Sequence, residues 1–162
     1  MPKVKYPFIP KSTAYLKPGH FWSIPLDNGR FACGRVIQMQ FKENGKQDAR
    51  GFLAGLLDWS GDEPPRSETI ADCKTIAQGT VHVMTIGENG GQVLGFRALE
   101  EDGIEPQLFL SQSPGRGCLL QRGYDILREA TPAEQAQLPV FSTWGYRSIK
   151  IKAEARLGNA TE

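Results

Sequence analysis

Between His20 and Trp59 the chain runs through three stretches rich in aromatic and branched residues, separated by two turn-forming segments. His20-Phe-Trp-Ser-Ile-Pro25 leads into Asp27-Asn28-Gly29, residues that accept positive φ at little steric cost, and then into Phe31-Ala-Cys-Gly-Arg-Val-Ile37, which can run on through Met39 and Phe41. Two such runs about such a turn predict a β-hairpin, with Pro25 at a strand end or an edge. Lys42 to Asp48 is a polar turn around Asn44-Gly45. Gly51-Phe-Leu-Ala-Gly-Leu-Leu-Asp-Trp59 is short and apolar, as a third, buried strand would be. The three strands form a meander.

Outside this region the signals are shorter. Residues 1–15 carry three prolines and a few large hydrophobes, which suits an extended lead-in with at most a short edge strand. Ser60 to Arg66 is rich in turn residues, and Ser67 can cap a short helix over Glu68 to Gln78 that Gly79 would end. Thr80 to Ile86 reads as a strand, Gly87 to Gly91 as a flexible loop, and Gln92 to Leu99 and Leu108 to Ser111 as short strands. Gly123 to Glu129 fits a helix or a strand equally, since its apolar run is too brief to separate the two periods. Thr131-Pro132-Ala-Glu134 joins a capping hydroxyl, a proline at the first helical position and a carboxylate at the third, and predicts a helix through Leu138. Leu138 to Tyr146 and Ser148 to Lys152 read as closing strands, and residues 157–162 as a frayed end.

The pattern predicts one α+β domain over residues 16–156, dominated by antiparallel sheet, with two or three short helices. A partly closed small barrel around the first three strands is one arrangement of that sheet. A chain of 162 residues can bury a core without metal or disulfide staples. Its apolar runs fall far short of the roughly 20 residues of a spanning helix, and its basic start lacks the apolar block of a signal peptide, so the cytoplasm is the expected compartment. Cys33, Cys73 and Cys118 are too widely spaced for a zinc ribbon and read as reduced thiols. The net charge of +1 conceals an asymmetry: residues 1–50 carry nine basic and three acidic side chains, whereas residues 58–105 carry three basic and ten acidic. The middle of the chain is an acidic block, read either as solvated loops or as a surface for a basic partner.

Catalytic patterns are weak. His20 and His82 lie in separate elements without metal-ligand spacing, so neither a metal nor a cofactor is expected. Cys33 could face His20 across the hairpin as a thiol–imidazole pair, the one nucleophile arrangement the spacing allows. Asp62-Glu63 and Glu100-Glu101-Asp102 are adjacent in turns, without the opposed geometry of an acid–base pair. The aromatic and basic stripe of a single-strand nucleic-acid binder is missing, although Lys150, Lys152 and Arg156 could form a basic edge.

Lys17-Pro-Gly-His-Phe-Trp-Ser-Ile-Pro-Leu-Asp-Asn-Gly-Arg-Phe-Ala-Cys-Gly-Arg-Val-Ile37 resembles the opening of the immunity protein 26 family of bacterial polymorphic-toxin systems, in the order and spacing of its motif. His20 stands where an acidic residue is usual, so no role for that carboxylate carries over. The resemblance implies an intracellular protein that binds and neutralises a cognate toxin domain. A phosphotriesterase label attached to some relatives implies, alternatively, a small hydrolase, although this chain has no metal-ligand motif to activate water. A β-rich interaction module without a toxin partner is the third reading. Under the first reading the toxin is a basic one, such as a nuclease, and the partner-binding residues are Asp58, Trp59, Asp62, Glu63, Glu68 and Asp72, with the tryptophan as anchor. No membrane and no nucleic acid is expected as a direct partner, and the oligomeric state is left open.

Overall fold

The alternation of large side chains on three successive strands builds a sheet that is buried on both faces. The computed structural model of the chain describes residues 4–158. The hairpin is β1 (His20–Pro25) and β2 (Phe31–Phe41), and β3 (Gln47–Gly61) completes the meander. β4 (Thr75–His82) and β5 (Val93–Phe96) flank it in the order β4-β3-β2-β1-β5, with every pairing antiparallel. Successive side chains on a strand point to opposite faces. Trp22, Ile24, Ala32, Val36, Phe52, Ala54 and Leu56 therefore share one face, and Phe21, Cys33, Ile37, Leu53 and Leu57 the other.

Each face has its own cover. The first packs against Val81, Val83 and Ile86 around a short helix α1 (Thr85–Glu88), and against Ile149, Ala153 and Leu157. The second is closed by Ile70, Leu99, Ile104 and Phe109, the last belonging to a small sheet of β6 (Leu108–Leu110), β7 (Leu119–Arg122) and β8 (Asp125–Glu129). At Gly34 a Cβ would lie 2.3 Å from the Trp22 ring, so the indole can lie flat on β2 only where that strand has no side chain. The hairpin tip is tied by Arg30 N–H donating to Asn28 Oδ1 at 2.9 Å.

The fold is α+β and dominated by antiparallel sheet, but it does not form the partly closed barrel. Among the described residues no pairing joins β4 to β5, and the five-stranded sheet stays open. The helix expected over Glu68–Gln78 is absent: residues 67–72 form turns, and from Thr75 the chain pairs with β3 as β4. Tertiary pairing overrides the helical spacing because β3 offers a free ladder of hydrogen-bonding groups along its outer edge. Gly79 does not end that segment. It sits within β4, where the Trp144 ring comes within 2.3 Å of the position of a Cβ. The strand expected over Thr80–Ile86 stops at His82 and gives way to α1.

Gly123–Glu129 resolves as a strand, β8 over Asp125–Glu129, and β7 is a strand the pattern did not signal. The helix at Thr131 is α2 (Pro132–Gln137), with the capping box of Thr131 and Glu134 complete. The closing strands are corrected. Leu138–Tyr146 makes only single bridges, at Val140 and Thr143, and Ser148–Leu157 is the helix α3. Ile149, Ala153 and Leu157 recur every four residues and are buried, whereas Ile151, which gave Ile149-Lys-Ile-Lys its strand-like alternation, is exposed. Leu157 is thus part of a packed helix, and the rest of the frayed end expected over 157–162, from residue 159 onward, lies outside the described residues.

The N-terminal segment lies along β5 through a single bridge, Phe8 to Val93, in place of an edge strand. Its other anchor is His20, which is 1% exposed and is ringed edge-on by Tyr6, Phe8 and Phe96. Lys17 N–H donates to His20 Nδ1 at 3.1 Å, so the ring proton resides on Nε2, 3.0 Å from Tyr6 Oη. Burial, reinforced by the Lys17 ammonium, lowers the imidazole to about 4 from its ordinary 6.5. Between those values the unfolded chain binds a proton that the folded one refuses, so stability falls as pH drops from 6.5 towards 4. The His20 share of that loss is about 3 kcal/mol. Denaturation of His20→Phe from pH 7 to 4 should show a correspondingly flatter pH dependence than the parent; an unchanged slope contradicts the assignment.

Candidate functional site

The side chains that could catalyse do not converge. His20 and Cys33 lie on adjacent strands, but Cys33 faces Ser23, and the alternation puts its thiol on the opposite side of the sheet from the His20 ring. The juxtaposition expected of that pair is therefore overturned by strand parity. Cys33 is wholly buried, and burial pushes its thiol well above the usual range. His82 ends β4, where its Nδ1 accepts Met84 N–H at 3.0 Å and its ring stacks edge-on with Tyr146. Both imidazoles are thus committed to backbone donors. Among the described residues no three His, Cys, Asp or Glu side chains group as a metal site.

The acidic residues fall into two neighbouring sets at one end of the β2–β3 pair. In the first, Trp59, Gly61, Asp62, Glu63, Arg66 and Thr69 line an open cleft of about 320 Å³. Trp59 is half-buried against the second core and lies over Gly61, so part of the indole faces outward on a supported ring. Asp62 is paired with Arg30, and Glu68 with Arg66 at 3.0 Å. Glu63 is exposed and has no ion pair among the described residues. In the second set Asp58 and Asp72 are exposed near Cys73, whose thiol is raised by burial and further by Asp102, Asp58 and Asp72. Both sets are charges on the rim of the second core.

The residues that hold this surface in place escaped the sequence reading. Arg35 is wholly buried and Asp102 is 2% exposed, and Arg35 Nη1 donates to Asp102 Oδ2 at 3.3 Å. Arg97 closes the triad with Nε on Oδ2 at 2.9 Å and Nη2 on Oδ1 at 3.0 Å. The other Arg35 nitrogen, Nη2, donates to the carbonyls of Arg97 and Gly19, while Nε has no partner among the described residues. Asp102 also accepts Asp72 N–H at 2.8 Å, with Asp72 held at φ 65°, a conformation that a non-glycine residue adopts at a cost. Lys74 Nζ donates to the Asp102 carbonyl, and Arg97 Nη1 to Ser67 Oγ at 3.4 Å. The triad thus holds the loop before β4 at Ser67, Asp72 and Lys74. A signal existed in Arg35 itself, a charge between Cys33 and Ile37 on an apolar strand face, which requires a buried counter-charge.

A larger cleft of about 610 Å³ opens among Leu16, Lys17, Gln38, Met39, Phe41 and Tyr124, and contains none of the candidate residues. No described helix is long and apolar enough to cross a membrane. With this geometry in view, comparison with known families places the chain. It matches the Immunity protein 26 family over residues 17–114, more than half of its length, and belongs to that family. The matched stretch contains β1 to β6, the triad and the acidic rim; β7, β8, α2 and α3 follow it. No curated protein and no solved structure matches the chain.

Burial alone would raise the Asp102 carboxyl, but hydrogen bonds from Arg97, the Asp72 amide and Arg35 outweigh it and hold the group below its ordinary 3.8. The stabilisation is therefore complete above pH 3.8 and is lost as pH falls through the lower folded value. Asp102→Asn leaves two guanidinium groups facing a neutral amide and should cost about 3 kcal/mol in denaturant unfolding at pH 7. It should also speed hydrogen exchange at the Asp72 amide. A variant as stable as the parent would show that the buried arginines do not need the Asp102 charge.

Proposed function

We propose that this chain is an immunity protein that binds one cognate toxin domain and neutralises it by covering its active site. Membership of the Immunity protein 26 family is the observation that carries the reading. The toxin is proposed to carry a basic cleft, as a nuclease does: Asp62 and Glu63 line one cleft with the half-buried Trp59, Glu68 pairs with Arg66 of that cleft, and Asp58 and Asp72 are exposed near Cys73. Such a surface suits an inhibitor: charge complementarity accelerates encounter, and an aromatic anchor with its entropy already spent slows release. Stable occlusion needs about 800 Å² per partner, so the contact would have to extend beyond the Trp59 cleft. The complex would form in the cytoplasm, and neither a metal nor a cofactor takes part in the proposed action.

The hydrolase reading gains nothing from the geometry. His20 is sealed beneath aromatic rings, Cys33 lies inside the core, and His82 stands apart from both. Phosphotriester hydrolysis needs an activated water or nucleophile, and none of the three is placed to supply one.

Two variants test the surface against a purified candidate toxin domain. Asp62→Lys with Glu63→Lys should lower the association rate about tenfold at low salt, with the deficit shrinking as salt is added. Trp59→Ala should leave association nearly unchanged and raise the dissociation rate at least about tenfold. Wild-type rates for both variants, measured by stopped-flow fluorescence and surface plasmon resonance, would remove this surface from the interface. Failure of the intact chain to protect cells producing that toxin would remove the function.

A further inference from the structure

The two sheets have four outer edges, and among the described residues short segments of the chain bridge three of them, each at one residue. β5 is covered by Phe8, which exchanges backbone hydrogen bonds of 3.1 and 2.8 Å with Val93. On β4, Thr80 N–H donates to the Ser142 carbonyl at 3.1 Å, and the Thr80 carbonyl accepts Trp144 N–H at 2.7 Å. On β6, Leu110 N–H donates to the Pro139 carbonyl and the Leu110 carbonyl accepts Phe141 N–H, both at 2.8 Å. The fourth edge, β8, has no such cover among the described residues: it pairs with β7 on one side and with nothing on the other. All five of its residues are exposed, including Ile126 at 54% and Leu127 at 51%. A bulge leaves Leu127 without a partner on β7. An open edge carrying aliphatic side chains is a template for another strand.

Charge selects the occupant. Arg128 is turned towards α2 and held by both carboxylate oxygens of Glu134, at 2.8 and 2.7 Å, so it does not offer its charge along the edge. Asp125, whose Oδ2 accepts Gln38 Nε2–H at 3.1 Å, and Glu129 are the acidic residues that remain, one at each end of the strand. A second copy of this chain, paired antiparallel over the full strand, would set Asp125 against Glu129 twice, and like charges directly opposite are unfavourable. An extended segment with a basic residue at each end and apolar residues between them has the complementary pattern.

We propose that β8 is a docking edge for such a segment of another protein, added as a fourth antiparallel strand to β6-β7-β8. The edge lies beyond the family-matched residues, and the inference does not rest on the Trp59 surface, so either can fail alone.

The probe is the capped peptide Lys-Val-Thr-Val-Lys, titrated to millimolar concentration into the intact isotope-labelled protein and followed by amide chemical shifts and hydrogen exchange. Amides of residues 125–129 should shift and exchange more slowly, while Glu-Val-Thr-Val-Glu and a peptide methylated on its backbone nitrogens should bind at least about tenfold more weakly. In the double variant Asp125→Lys, Glu129→Lys the preference should invert in favour of the acidic peptide, with the remaining amide spectrum showing the fold intact. Absence of shifts at millimolar peptide, or equal responses to the basic and acidic peptides, overturns the proposal. Sedimentation as a dimer that dissociates on Ile126→Lys would make the second copy the occupant and overturn it too.

Discussion

A full positive charge in the centre of a sheet buried on both faces is the constraint on which the rest of this molecule depends. Arg35 cannot be left bare there, and the carboxylate that answers it, Asp102, comes from a turn far along the chain. Once Asp102 is in place, its remaining acceptor capacity draws in Arg97, the Asp72 amide and, through its own carbonyl, Lys74. A single electrostatic requirement thus fixes the turn at residues 99–102, the end of β5 and the loop before β4. Replacing such a group by an apolar one of equal shape can be neutral, whereas removing one partner leaves a buried charge exposed to nothing. The triad is therefore better understood as a device that specifies one arrangement of the loop than as a source of net stability.

That arrangement links fold to function. The charges proposed to meet a toxin lie on turns that carry little regular hydrogen bonding of their own, and loose turns would lose ordering entropy on binding. Pinning Ser67, Asp72 and Lys74 to a buried cluster removes part of that cost in advance. The same stretch holds Trp59, the residue proposed as the anchor, over Gly61 against the second core. The first face of the sheet is closed by α1 and α3.

Much of this was legible in the residues, and the failures have physical causes. The Asp27-Asn28-Gly29 hairpin, the third strand and the capped helix after Thr131 follow from local turn and capping chemistry, which does not depend on distant neighbours. The segment Glu68–Gln78 could not be read locally, because its strand exists only as a partner for β3. Ile149-Lys-Ile-Lys looked like a strand until Ala153 and Leu157 extended the four-residue recurrence into a helix. Strand parity was enough to place His20 and Cys33 on opposite faces, once the register across the hairpin was known. Of the proposed binding residues, the structure gathers Trp59, Asp62 and Glu63 in one cleft, with Asp58 and Asp72 on the adjoining rim. The Arg35–Asp102 pair, separated by 67 residues, had no local signature beyond a lone charge in an apolar strand.

The central claim, that this protein acts by covering a partner one to one, is tested most directly by titrating a fixed amount of the proposed cognate toxin with the purified chain and following toxin activity. Occlusion predicts a linear loss that reaches zero at one equivalent, with full activity recovered when the complex is dissociated and the chain removed. Complete loss at a small fraction of an equivalent, persisting after the chain is removed, would mean that the protein turns over a substrate, and would contradict the account.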